Sequence, residues 1–192
     1  MRATLAVLLF VAGAAAIANA ATTAKDPQAL ALQPSDFPAG AVSTTAYPYQ
    51  PLPGGRVLAY TATYVFKSAG QPEMVTVDVQ VAKSLADARS QYKLRLASET
   101  KLPDEKALTL PAYGSEQSAA FRHRKVFGAT ENTGVVVVRK NTVVWMLSIE
   151  NCGPNSNCGN PVSNTIPPIS QAQAVRELKI YAAKAKARIG SG

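Results

Sequence analysis

The chain has 192 residues, of which 47% are hydrophobic and 17% charged, with a formal net charge of +8. These values exclude a wholly disordered chain and fit one globular domain, long enough to bury a core without covalent staples. The basic balance favours anionic partners or surfaces without specifying one, since much of such charge only solvates a fold.

In chain order, Arg2 precedes an apolar run from Leu5 to Ile17 that ends in Ala18-Asn19-Ala20. This is the pattern of a cleavable secretory signal over residues 1–20. It predicts a secreted or periplasmic protein. The run is short and alanine-rich for a bilayer core of roughly 30 Å. No cysteine lies near the cleavage site to accept a lipid. Arg2 is the sole charge in the signal, so cleavage leaves about +7. No later apolar stretch approaches about 18 residues, so no transmembrane segment is expected after cleavage. Residues 21–34 read as a flexible N-terminal segment, with a short helical turn at Leu30 and Leu32 stopped by Pro34 and Pro38. A single domain is expected over 35–190.

The prolines of Tyr47-Pro48-Tyr49-Gln50-Pro51-Leu52-Pro53 predict an extended loop and not a regular strand. From Arg56 to Lys67, Leu58, Tyr60, Ala62, Tyr64 and Phe66 recur at period two. From Met74 to Val81, Val75, Val77, Val79 and Val81 alternate with Thr76, Asp78 and Gln80. Two strands in an antiparallel hairpin follow, with the valines toward the helices and the polar residues on the other face.

Ser84 and Asp87 open a helix whose stripe is Leu85, Ala88, Tyr92 and Leu96, with Arg89, Lys93 and Arg95 mostly off it. Pro103 forbids its continuation. A loop to about Gly114 precedes a strand over Ser118 to Phe127. Val135 to Arg139 and Thr142 to Ile149 form a hairpin turning at Lys140-Asn141, and their valine density marks the centre of the sheet. Ser170 and Gln173 cap a last helix with Val175, Leu178, Tyr181 or Ala182, Ala185 and Ile189 on its apolar side. Its cations Lys179, Lys184, Lys186 and Arg188 crowd the C-terminal half, where they suit the helix dipole. The fold class is therefore α+β, a mainly antiparallel β-sheet with two main helices packed on it.

Cys152 and Cys158 flank a Gly-, Pro- and Asn-rich stretch, and in an exported chain an even pair reads as a disulfide. So short a loop gains about 2–2.5 kcal/mol from chain entropy. The spacing is not that of a redox Cys-x-x-Cys pair.

Motifs for chemistry are sparse. The lone histidine, His123, lies in Arg122-His123-Arg124-Lys125 and cannot build a multi-histidine metal site. It reads as a surface or edge-strand residue. Ser90-Gln91-Tyr92-Lys93 and Ser98-Glu99-Thr100-Lys101 match the serine–lysine string of penicillin-binding enzymes. The faint third motif of those enzymes, at Lys67-Ser68-Ala69-Gly70, comes in the wrong order. No phosphate loop or calcium loop is present in the sequence, so no cofactor and no metal are expected. Without a recognised module, nucleic acid is not an expected partner.

Leu32-Gln33-Pro34-Ser35-Asp36-Phe37-Pro38-Ala39-Gly40, the junction Val79-Gln80-Val81-Ala82-Lys83-Ser84-Leu85-Ala86-Asp87-Ala88 with Tyr92 one turn on, and the pairing of Val135–Ile149 with a basic terminal helix make up a pattern. It resembles small bacterial cell-envelope domains, namely the extracellular sensor domains of PknH-like kinases and PsbP-like secreted proteins or lipoproteins. The resemblance implies fold and location. It carries over no functional residue, and the sensor domains' helix-tying disulfides and the lipoproteins' lipid-accepting cysteine have no counterpart here. The expected function is a non-enzymatic binding or sensing module, with a small-molecule ligand against the sheet or in a groove beside the helices. The alternative is a hydrolase with an unrecognised active site. Arg122, Arg124, Lys125, Arg139, Lys140, Lys179, Lys184, Lys186 and Arg188 are the candidates for contact with anionic cell-envelope polymer or lipid headgroups, provided the fold gathers them.

Overall fold

A computed structural model describes residues 25–51, 57–68, 71–100, 104–126, 129–151 and 168–190. Its seven strands are β1 (Val42–Pro51), β2 (Val57–Ser68), β3 (Gln71–Ala82), β4 (Glu105–Ala107), β5 (Glu116–Val126), β6 (Ala129–Lys140) and β7 (Val143–Asn151). The helices are α1 (Pro27–Leu30), α2 (Leu85–Glu99) and α3 (Gln171–Gly190). All seven strands join one sheet in the order β1-β2-β3-β7-β6-β5-β4, and every pairing is antiparallel. The expected α+β class holds. A three-strand meander climbs to β3, and α2 carries the chain to the far edge. A four-strand meander then returns to set β7 beside β3.

The valine-rich strands do occupy the centre, with β7 the fourth of seven. The β2–β3 hairpin pairs without a break from Val57↔Ala82 to Ser68↔Gln71. Between β6 and β7 the two loop residues are Asn141 and Thr142, one place beyond the expected turn. Asn141 takes φ 54°, a left-handed conformation that asparagine tolerates because its short side chain bonds locally.

The helices divide between the two faces of the sheet. On one face α3 lies over β6 and β7, and α1 with the turn Pro34–Asp36 covers β2 and β3. Val75, Val77, Val79, Val136, Val138, Trp145, Leu147 and Ile149 meet Leu178, Tyr181, Ala182, Ala185 and Ile189 there. Phe37 stacks on Tyr64 at 4.4 Å between ring centres and lies 4.9 Å from Tyr181. Close approach of helix to sheet depends on Gly134 of β6, where a Cβ would sit 2.7 Å from the Ala174 Cβ. On the other face α2 packs Ala88 and Tyr92 against Val135, Val137, Val144 and Met146.

Four readings of the sequence change. Thr76, Asp78 and Gln80 do face away from the valines, yet α2 covers that side, and Asp78 and Gln80 are 5% and 3% exposed. Asp78 accepts from Thr61 Oγ1 at 2.8 Å and from Arg95 Nη2 at 2.9 Å, which draws Arg95 inward from the polar side of α2. Leu85, assigned to the helix stripe, is 43% exposed because it sits in the first turn, beyond the contact with the sheet. The proline-rich stretch through Pro51 is strand and not loop. As an edge strand β1 needs pairing on only one side, and its register slips between Tyr47 and Gln50, around Pro48.

The fourth concerns the N-terminal segment, where packing begins ahead of residue 35. Leu30, Ala31 and Leu32 are buried, and Tyr64 donates to the Leu32 carbonyl at 2.7 Å. Residues 27–32 thus belong to the core cover and not to the segment ahead of it. The capping of α2 matches its sequence, with Asp87 N donating to Ser84 Oγ at 3.0 Å. In α3 the Gln173 backbone N–H donates to Ser170 Oγ at 3.2 Å, but the Gln173 side chain goes to buried Glu73 and does not close a capping box. Cys152, Cys158 and the signal at residues 1–20 lie outside the described residues.

Candidate functional site

The nine cations singled out in the sequence fall on different layers, and their neighbours separate them further. Arg122 and Arg139 point to the α2 face and are held by carboxylates. Arg122 Nη2 lies 3.0 Å from Glu105 Oε1 and 3.6 Å from Glu99 Oε2, and it donates to the Glu99 carbonyl at 2.9 Å. Arg139 is 5% exposed, pairs with Glu116 and donates to the Asn141 carbonyl at 3.0 Å. These two are structural clamps with little charge left for a ligand. Arg124 and Lys125 extend β5, opposite Glu131 and Thr130 of β6.

The α3 cations behave otherwise. Arg188 Nε pairs with Asp36 Oδ2 at 2.6 Å and ties the helix to the turn Pro34–Asp36. Lys184 donates to the Asp36 carbonyl and lies 5.6 Å from the centre of the Tyr181 ring. Lys186 donates to the Ala112 carbonyl at 3.1 Å. A carbonyl positions an ammonium without neutralising it, so both lysines keep their charge. Lys179, Lys184 and Lys186 are exposed, and no carboxylate among the described residues pairs with them. Lys140, at the hairpin tip, reaches the end of the same helix. A Cβ on Gly190 would lie 3.3 Å from its Nζ. The fold therefore sets Lys184 on one flank of α3 and Lys186 on the other, places Lys140 beside the C-terminal end of the helix, and leaves Arg122 and Arg139 on the opposite side of the sheet.

A second feature lies at the far edge, on the α3 side of the sheet but beyond the helix. Asp104, Lys106, Phe121 and His123 line an open groove of about 290 Å³. Lys106 is directly opposite Phe121 in the β4–β5 ladder, and His123 follows two residues along on the same face. His123 is exposed, and its ring is fixed. The Ile169 carbonyl can only accept, so Asn132 Nδ2 must donate to it, at 2.7 Å. Asn132 Oδ1 is thereby left facing His123 Nδ1 at 2.6 Å, so Nδ1 carries a proton and the neutral ring keeps its lone pair on Nε2. A carboxylate, an ammonium, an imidazole acceptor and an apolar wall thus converge on one depression. Among the described residues the lining includes no serine, threonine or cysteine.

The serine–lysine string at Ser90 and Lys93 lies on the outer side of α2, both residues exposed and with no hydrogen bond between them. Sequence reading passed over Asp104, Lys106 and Asn132. The pairs that create the groove come from β4, β5 and β6, and only the strand register brings them together. No protein-family model, no curated protein and no solved structure matches the chain. Among the described residues no group of three or more metal-ligating side chains gathers, and no helix is long and apolar enough to cross a membrane.

Proposed function

We propose that the chain is an exported, non-enzymatic binding module of the bacterial cell envelope, and that it attaches through the basic outer face of α3. The observation that carries this reading is the charge of that helix. Five cations, Arg176, Lys179, Lys184, Lys186 and Arg188, stand against the single carboxylate of Glu177, which is 6% exposed. Arg188 is answered by Asp36, and Arg176 lies 3.4 Å from Glu177. The exposed lysines and Lys140 form a field with no fixed counter-charge among the described residues. Such a field attracts a phosphate-bearing surface by long-range Coulomb force. The signal read at residues 1–20 and the likeness to small envelope domains support the location. The partner chemistry is a dense array of phosphodiesters, from a wall polymer or from lipid headgroups.

Cosedimentation with vesicles containing phosphatidylglycerol, and in parallel with soluble poly(glycerol phosphate), tests the reading and separates the two sources. Binding is expected at low salt and should fade as the Debye length shrinks from roughly 30 Å at 0.01 M to roughly 8 Å at 0.15 M. No binding of either probe at low salt ends the proposal.

A further inference from the structure

The groove between β4 and β5 carries an inference independent of the α3 face. Asp104 and Lys106 are exposed, have opposite charge and line the same depression, yet neither is engaged in an ion pair or side-chain hydrogen bond among the described residues. Neighbouring charges of the same sheet edge are treated differently. Glu105, between them, faces the other way and is held by Arg122 at 3.0 Å. The free pair stands two residues apart, Asp104 in the turn that leads into β4 and Lys106 within the strand. Phe121, opposite Lys106, and the ring of His123 line the same depression, and His123 Nδ1 is committed to Asn132, which leaves Nε2 as the acceptor of that tautomer.

We infer that this groove is a binding site for a small zwitterion of dipeptide size. Its ammonium pairs with Asp104, its carboxylate pairs with Lys106, and the amide N–H between them donates to His123 Nε2. An extended dipeptide spans at most roughly 6.6–7.2 Å and presents opposite charges at its two ends, the complement of the Asp104 and Lys106 pair. A groove of about 290 Å³ also has the right scale for a ligand of that size. The relay from Ile169 through Asn132 sets the tautomer that accepts. The ligand is therefore read by three groups of distinct chemistry and not by charge alone.

Calorimetric titration of the full chain with alanyl-phenylalanine tests the site, compared with the N-acetylated and the C-amidated forms of the same peptide. The free dipeptide should bind, and blocking either end should weaken it by about threefold to fivefold, the range of one exposed ion pair. Asp104→Asn should weaken the free peptide by a similar factor and leave the N-acetylated form unaffected, since that form has no ammonium to lose. Lys106→Gln should do the same for the amidated form. Both side chains are exposed, so the variants keep the fold, and circular dichroism checks this. Absence of binding by the free dipeptide would overturn the site, as would equal affinity for free and blocked forms. Neither result bears on the α3 face, which is probed by phosphate surfaces.

Discussion

On the α3 side of the sheet, Val75, Val77 and Val79 are at most 1% exposed and meet a cluster of Phe37, Tyr64, Phe66 and Tyr181. One residue along the same strand, Thr76, Asp78 and Gln80 turn to the α2 side, where Thr63 Oγ1 lies 3.2 Å from Thr76 Oγ1 and Arg95 reaches Asp78. The two faces are closed by different means. Apolar area removed from water and close packing hold the first. The second combines a small apolar cluster around Ala88 and Tyr92 with carboxylate–guanidinium pairs, Asp78–Arg95 and Glu116–Arg139, near the edges of the helix. A polar residue in strict alternation is commonly read as facing solvent. Here it faces a helix that supplies its partner.

The largest effect expected from breaking this contrast is on the α3 side. Val77→Asp puts an unpaired charge where the native side chain is 1% exposed, and its cost should exceed about 4 kcal/mol. That is a large fraction of the roughly 5–15 kcal/mol margin of an ordinary domain, so urea titration should find the midpoint strongly lowered or the variant already unfolded without denaturant. A Val77→Asp variant that kept the wild-type midpoint would mean that β3 is turned over.

Asp78→Ala should be intermediate, about 1–3 kcal/mol, because Thr61 and Arg95 each lose a partner and Arg95 is exposed enough to recover water. Adding Arg95→Ala should cost less than the sum of the two single changes. A change within about 0.5 kcal/mol for Asp78→Ala would show that the α2 side is open to solvent at this point.

The smallest effect is titrational. Burial raises the phenols of Tyr64 and Tyr181 on the α3 side, Tyr64 to about 12 from 10.0, and also lifts Tyr92 under α2. A neutral phenol is favoured by the fold, so the native state holds more protons than the unfolded chain above pH 10. Stability should be unaffected by these groups below pH 10 and fall as pH rises toward 12. Tyrosinate absorbance followed together with circular dichroism should show the buried phenols ionising only as the fold is lost. Free titration of all seven tyrosines near pH 10 in a folded chain would contradict the packing of Tyr64.

Periodicity made the α3 side legible. The period-two runs of β2 and β3 and the Leu178–Tyr181–Ala185–Ile189 stripe each declare a buried face by themselves. The α2 side was not legible, because its partners lie far apart in the chain. Arg139 and Glu116 are 23 residues apart, and Arg95 and Asp78 are 17 apart. β1 was hidden by its prolines, which an edge strand can carry, and β4 by its length of three residues. The same reason hid the groove. Asp104 and Lys106 are ordinary surface charges until the β4–β5 register sets them beside Phe121 and His123. The basic residues were visible as a set, but which remain uncompensated depends on Asp36, Glu99, Glu105 and Glu116, which only the fold brings to them.

The contrast between the faces also supplies the most direct test of attachment through α3. One variant replaces Lys179, Lys184 and Lys186 with glutamine, which keeps an N–H donor for the Asp36 and Ala112 carbonyls. The other replaces the exposed Lys83, Arg89 and Lys93, at and along α2, and so removes the same net charge from the opposite side. Cosedimentation of both with phosphatidylglycerol vesicles at low salt should show binding lost in the α3 variant and retained in the α2 variant. Equal loss in the two would contradict a localised α3 surface and leave net charge as the sole source of attraction.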